Sequence, residues 1–425
     1  MLSVLDLLAV LLTLCAVLGW INQRYLPMPH AVGLLVMSVL ASLVLVAIDV
    51  AVPQQHLFDG LAKVLLQIDF SAVVMNGMLA FLLFAGALNV NLGLLRRRAV
   101  PVAILAILGT VISTGIVGFA IWQAARLFGQ PLTLAWAMVF GALISPTDPV
   151  AVLSALKNVK VPERLEVEMQ GESLFNDGIG IVLFTILVLF ATGSGAGEVT
   201  PTGIARLLVL EAGGGIALGI ATGYLAYRAM RLVDDYPVEI LITLALVTGT
   251  YALAQRLHMS GPLAVVAAGL LIGERGPRDA MSDRTHTYVF ALWTLIDEIL
   301  NSILFLLIGL EVLVLRFEKE ALILAAAAIP IVVVARFVAV GLPAIVSWSS
   351  ALMSTRNVPF LTWAGIRGGI SIALALSVPS GPAKPAILAA TYAVVLFSVI
   401  VQGLTLRYVA KRTVLSRNGK DPDSL

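Results

Sequence analysis

The chain is short of charge. Asp, Glu, Lys and Arg make up 12% of its 425 residues and apolar types 60%, where soluble domains run at roughly 25% and 45–50%. A mean hydropathy of +1.00 excludes a water-soluble globule and points to an integral membrane protein. Cysteine is almost absent: Cys15 stands alone, which excludes an internal disulfide and a CxxC metal pair. No GxxxxGK[ST] phosphate loop occurs, so ATP is not the expected energy source. The longest connection between apolar runs, residues 50–68, leaves no room for a soluble catalytic domain, since domains start at about 50 residues. Alternating polar and apolar strands, the mark of a membrane barrel, are missing too.

Long apolar runs are abundant. About thirteen recur along the chain, most of them long enough to cross a roughly 30 Å hydrocarbon core as helices. They cover approximately residues 2–22, 32–49, 69–91, 99–123, 132–157, 171–192, 204–230, 237–256, 262–274, 287–315, 320–347, 359–379 and 385–410. The fold class is therefore all-α and multispanning. The first run has no basic leader and exceeds the about 7–15 residues of a signal peptide, so it reads as a retained helix.

The net charge of +2 hides an asymmetry. Of the 27 Lys and Arg, eighteen fall after odd-numbered segments or in the tail, seven on the other side, and two, Arg336 and Arg367, within segments. By the positive-inside rule the odd loops and the C-terminal tail are cytoplasmic and the N-terminus is outside. A plasma-membrane location follows, bacterial or archaeal inner membrane, with lipid as the surrounding partner. No nucleic-acid partner is expected.

Charges inside the segments are costly and need either a partner or a function. Asp148, Glu172, Asp177, Arg336 and Arg367 stand out, followed by the pair Asp297 and Glu298 in segment ten. Asp148 lies in ISPTDPVAV, residues 144–152, between Pro146 and Pro149. Two prolines so placed remove backbone donors and clash with preceding carbonyls, opening the helix near Thr147 and Asp148. Unpaired carbonyls at membrane depth are tolerated where protein or a water-filled cavity surrounds them, and such oxygens beside a carboxylate suit a small hard cation. On the next segment, in GESLFNDGIGIVLF, Ser173 and Asp177 share a helix face, as do Glu172 and Asn176. Glu172 and Asp177 are about 140° apart around the axis, so one can face an ion path and the other a neighbouring helix.

A second interruption occurs in WAGIRGGISIALAL, residues 363–376, where Gly365, Gly368 and Gly369 surround Arg367. Broken segments at corresponding positions of two halves point to a transporter site in an inverted repeat. Segments four to six and eleven to thirteen would be the matching triplets, with segments five and twelve as the broken crossing helices.

These motifs, with SGPLAVVAAGLLIG and ARFVAV in the same order from segment three onward, resemble the monovalent cation/proton antiporter superfamily. The likeness is to its electroneutral sodium/proton branch, the NhaP-type antiporters and the related eukaryotic sodium/hydrogen exchangers. The resemblance implies a secondary antiporter, not an enzyme, that exchanges sodium, or lithium or potassium, for a proton in pH homeostasis and needs no cofactor beyond the transported ions. It implies that Asp177 binds cation and proton in turn and that Asn176 replaces a second Asp of the electrogenic branch. Thr147, Asp148 and Ser173 would line the ion site, with oxygen ligands from Thr147 and Ser173. Glu172 would pair with Arg336, and Arg367 would offset helix carbonyl ends. A homodimer is implied, with dimerisation helices within about 1–68 and 204–274, an ion-transporting core over about 69–192 and 287–410, and a cytoplasmic tail, 411–425.

The residues themselves give the same chemistry. Withdrawal from water favours the neutral form of a carboxyl, so a sodium ion and a proton would compete for Asp177. With Asn176 beside it, one proton exchanges for one cation without net charge movement. One position departs from the resemblance: Ala85, in FLLFAGALNV, stands where NhaP-type relatives often carry Glu, which leaves selectivity among sodium, lithium and potassium open. Asn89 is nearby. His30, His56, His258 and His286 fall at segment ends or in loops and read as ordinary exposed histidines. An intramembrane aspartyl protease would also need two carboxylates, but GxGD is absent and Arg336, Arg367 and the second break would be idle. A channel would call for repeated pore-lining rings, which are missing.

Overall fold

The computed structural model describes residues 4–26, 28–51, 70–156, 159, 161–193, 209–313, 319–346 and 355–413. Among them every regular element is helical. In chain order the main ones are α1 (Val4–Tyr25), α2 (His30–Ala51), α3 (Phe70–Leu88), α4 (Leu92–Arg97), α5 (Ala99–Leu127), α6 (Leu134–Ile144), α7 (Pro149–Leu156) and α8 (Glu163–Thr192). The second half holds α9 (Val209–Met230), α10 (Tyr236–Arg256), α11 (Gly261–Arg275), α12 (Asp283–Glu311), α13 (Lys319–Val346), α14 (Val358–Trp363), α15 (Gly369–Ser377) and α16 (Lys384–Thr413).

Among the described residues, eleven spans are long and apolar enough to cross a membrane. The other two apolar runs of the sequence fall short for different reasons: α11 has 15 residues, and segment twelve is split into α14 and α15 by the unwound residues 364–368. Segment five counts as one span but is split too, into α6 and α7 by residues 145–148.

Local chemistry sets many helix ends. Thr133, Ser260 and Ser282 cap α6, α11 and α12 through side-chain oxygens that accept from backbone N–H groups, as such residues do at N-termini. Gly193, with φ of +72°, ends α8 in the left-handed conformation that glycine adopts without penalty. The one large boundary difference from the hydropathy reading is α8. Its helix begins at Glu163 rather than near residue 171, because the charged turn ERLEVEMQ is helical although too polar for hydrocarbon. Glu163 and Glu166 sit in its first turn, where the helix dipole favours acids, and Glu168 accepts from Arg98 Nε at 2.6 Å.

Two hydrophobic cores organise the bundle. The larger joins α2, α5, α6, α7, α8 and α13–α16 with the C-terminal half of α12. The smaller joins α3, α9, α10 and α11 with the N-terminal half of α12, through Val289 and Trp293. In the smaller one α9 lies so close to α11 that a Cβ on Gly219 would run into the Ala264 carbonyl, the small-residue contact that lets membrane helices approach. The two interrupted spans lie within the larger core, where α15 packs against α6, α16 and the start of α3.

Candidate ion-binding site

The two interruptions meet each other. The Asp148 amide donates to the Ile366 carbonyl at 2.7 Å, so the unwound stretch of one span supplies a backbone partner for the other. Arg367, 1% exposed, reaches from its own break into the opposite one: Nη1 donates to the Ser145 carbonyl and, at 3.0 Å, to that of Pro146. These carbonyls follow directly on the C-terminus of α6, where the helix dipole leaves partial negative charge. The Arg367 amide is held by Ser398 Oγ at 3.0 Å, at the start of a π-turn in α16. Glycine is needed where the breaks touch, because a Cβ on Gly368 would stand 2.5 Å from Asp148 Oδ2.

Asp148 caps α7. Its Oδ1 accepts from the amides of Val150 at 2.8 Å and Ala151 at 3.4 Å, which spends that oxygen on the helix that the break creates. Thr147 faces α8: its Oγ1 lies 2.9 Å from Ser173 Oγ and accepts from Asn176 Nδ2 at 2.9 Å, while its amide donates to Asn176 Oδ1 at 3.4 Å. The Asn176 amide is thus occupied at both ends by Thr147. One turn position on, Asp177 is 5% exposed, and no donor among the described residues hydrogen-bonds it.

Asp177, Asp148 and Thr147 line a cavity of about 70 Å³ at the crossing, together with Asn301 of α12 and Ser371 of α15. About 10–15 Å³ of such space admits a water, so the cavity has room for a small cation with part of its hydration. The polar side chains in its wall, Thr147, Asp148, Asp177, Asn301 and Ser371, all offer oxygens, the set that fits a hard monovalent ion rather than a soft metal.

On the far face of α8, Glu172 and Arg336 form a bidentate pair, Nη1 to Oε1 and, at 2.9 Å, Nη2 to Oε2. Arg336 Nη2 also donates to the Leu361 carbonyl of α14 at 3.4 Å. The pair therefore ties α8, α13 and the helix leading into the second break.

Other positions singled out from the sequence lie elsewhere. Ala85 is 0% exposed and does not line the cavity; α3 presents Leu79, Leu82, Leu83 and Gly86 there. Asn89 is turned back onto its own helix, donating to the Ala85 carbonyl at 2.9 Å. Asp297 and Glu298 lie a turn from the cavity on α12. His30 contacts Ser302 Oγ at 2.9 Å, His286 packs on Phe290, His258 is exposed, and His56 lies outside the described residues, as do 414–425 of the tail. Sequence reasoning did not name Asn301, Ser371, Ser145 or Ser398. Asn301 carried one usable signal, its place four residues after Asp297 in an otherwise apolar stretch.

Comparison with known proteins agrees with this architecture. Residues 10–412 match the family described as sodium/hydrogen exchanger, transmembrane. The chain is 42% identical over 413 residues to the Na(+)/H(+) antiporter NhaP of Pseudomonas aeruginosa, covering 96% of both. It is 35% identical over 381 residues to the Na(+)/H(+) antiporter NhaH of Halobacillus dabanensis, covering 87% of this chain and 91% of that one. A solved sodium proton antiporter from Methanocaldococcus jannaschii shares the fold with a TM-score of 0.72 at 21% identity, over 96% of this chain and 98% of that one. With the match running through both interrupted helices and nearly end to end, the chain belongs to the transmembrane sodium/hydrogen exchanger family.

Proposed function

We propose that this protein exchanges sodium for a proton, one for one, by alternating access, with both ligands taken in turn by Asp177. The observation that carries the reading is Asp177 itself. It is a buried carboxylate without a hydrogen-bond donor among the described residues, on the wall of a cavity formed where two broken helices cross. A structural carboxylate at this depth needs a partner, as Glu172 has in Arg336; one left open to a cavity is suited to an exchangeable cation. Membership of the exchanger family and the names of the relatives support sodium as the cation and the proton as its counter-substrate.

Asn176 supports electroneutrality. It stands beside Asp177 as an amide engaged with Thr147, so that position adds no second charge to the cycle. Asp148, Thr147 and Ser173 shape the unwound segment, and Arg367 offsets its carbonyl ends. The charge asymmetry of the loops supports an N-terminus outside and a cytoplasmic tail. A homodimer, with dimerisation surfaces on the early helices and on α9–α11, belongs to the same reading.

The test is cation-driven proton flux in liposomes containing purified Asp177→Asn protein, with its thermal unfolding measured in parallel. Exchange should be abolished while unfolding stays cooperative near the parental temperature. Retained exchange would reject Asp177 as the shared site.

A further inference from the structure

Two polar groups in the cavity wall take no part in the pairs, caps and backbone contacts at the crossing. Ser371 sits in the first turn of α15, 1% exposed, and its Oγ has no hydrogen-bond partner among the described residues. A native structure seldom leaves a buried hydroxyl without one unless it has another use. Asn301, 6% exposed on α12, is the opposite case. Its Nδ2 donates to the Asp297 carbonyl at 2.9 Å and to Asp297 Oδ1 at 3.0 Å. Both amide hydrogens are therefore directed to the preceding turn, which leaves Oδ1 as the group the cavity can use.

The remaining walls explain why such oxygens matter. The face that α3 contributes consists of leucines and a glycine, with no oxygen side chain. Asp148 has one carboxylate oxygen committed to the amides of α7, and Thr147 has its hydroxyl committed to Ser173 and Asn176. Asp177 with the remaining Asp148 oxygen still offers too few ligands for a small hard cation, which gathers several oxygens.

We propose that Ser371 Oγ and Asn301 Oδ1 are ligands of the transported cation, directly or through one water, completing from α15 and α12 the oxygen shell begun by Asp177 on α8. Asp297 is a positioning residue that fixes which end of the Asn301 amide faces the ion. The shell then draws on α8, on the second interrupted span through α15, and on α12, a helix that contributes to both hydrophobic cores. A cation bound there bridges them, and the neutral ligands set which monovalent cation fits. This inference rests on the antiport reading for the identity of the cation.

The experiment measures half-saturating sodium and lithium in two ways on purified protein: proton flux in liposomes, and cation-induced shift of the thermal unfolding temperature, which needs no transport. Ser371→Ala and Asn301→Leu should each raise half-saturating sodium at least fivefold, change the sodium-to-lithium ratio, and affect the maximal rate less than the affinity. Ser371→Thr, which keeps the hydroxyl, should restore sodium affinity to within twofold. Asp297→Ala should weaken affinity in the same direction, and Asp297→Asn, which still accepts from Asn301, should not. Unchanged half-saturating sodium in folded Ser371→Ala overturns the ligand assignment, and so does a fall in maximal rate with affinity intact. If Asn301→Leu does not fold, Ser371→Ala with its Thr rescue decides alone. If the unsubstituted protein shows no cation-coupled proton flux, the antiport reading fails, while the thermal shift still decides whether these oxygens bind sodium.

Discussion

The Asp148 amide and the Ile366 carbonyl, 2.7 Å apart, close a main-chain hydrogen bond between two helices that have each given up their own. Each break thereby satisfies part of the other's backbone at a depth where water is scarce. The contact leaves no spare volume between Gly368 and Asp148, and that is open to test.

Gly368→Ala places a methyl group 2.5 Å from Asp148 Oδ2 and 2.7 Å from Asp148 Cβ, so the Asp148 cap or the break itself must shift. Overpacking of this kind costs about 1–3 kcal/mol. We expect a lower unfolding temperature and at least a tenfold loss of exchange in liposomes. Parental activity in this variant would mean that the two stretches separate more easily than their contact implies.

Glu172→Gln or Arg336→Gln alone should destabilise the protein by about 3–5 kcal/mol, because each strands a buried charge. The double substitution should cost clearly less than the sum of the singles. A double-mutant cycle on unfolding in detergent checks this, and additive losses would reject the pairing as energetically coupled.

Exchange should be insensitive to voltage. On the proposed mechanism, with Asn176 adding no second carboxylate, the site would carry a neutral acid one way and a neutralised cation–carboxylate pair the other. Imposing a potassium–valinomycin potential across proteoliposomes should leave the sodium-driven proton flux unchanged. Stimulation by one polarity and inhibition by the other would show that net charge moves.

Competition sets the sign of the pH dependence. If protons and sodium share Asp177 as proposed, half-saturating sodium should rise as pH falls, by up to tenfold per pH unit once the carboxyl is mostly protonated, each step being about 1.4 kcal/mol. At saturating sodium the acid-side loss of rate should disappear. A half-saturating concentration constant across the range would place the proton on another group.

The span pattern and the two interruptions are legible in sequence because hydrocarbon imposes few choices: helices of a set length, broken where Pro146 and Pro149 or Gly365, Gly368 and Gly369 fall in an apolar run. The start of α8 was not legible from hydropathy, since ERLEVEMQ is a polar helical stretch in which the buried Glu168 pairs with Arg98. Contacts across the chain were beyond periodicity. Glu172 and Arg336 are 164 residues apart, and only a resemblance to other chains suggested that they meet. Ser371 looks in sequence like any small polar residue on an apolar helix, and Asn301 offered only its spacing from Asp297; an unpartnered hydroxyl and a spent amide become visible only when their neighbours are placed. The question raised at Ala85 also changes in three dimensions, because that residue is packed away from the cavity and the polar wall lies on α12 and α15 instead.

The reach of Arg367 into the first break has a consequence for biogenesis. Its partners at Ser145 and Pro146 precede it by 222 and 221 residues. At a synthesis rate of about 5–20 residues per second, the ribosome needs roughly 10–40 s to deliver the arginine after the first break has been made. During that interval the end of α6 sits in or beside the membrane with the carbonyls that follow it waiting for a guanidinium. The site cannot mature one half at a time, and a chain stopped after α12 would present the translocation machinery with an unfinished break instead of a smaller transporter.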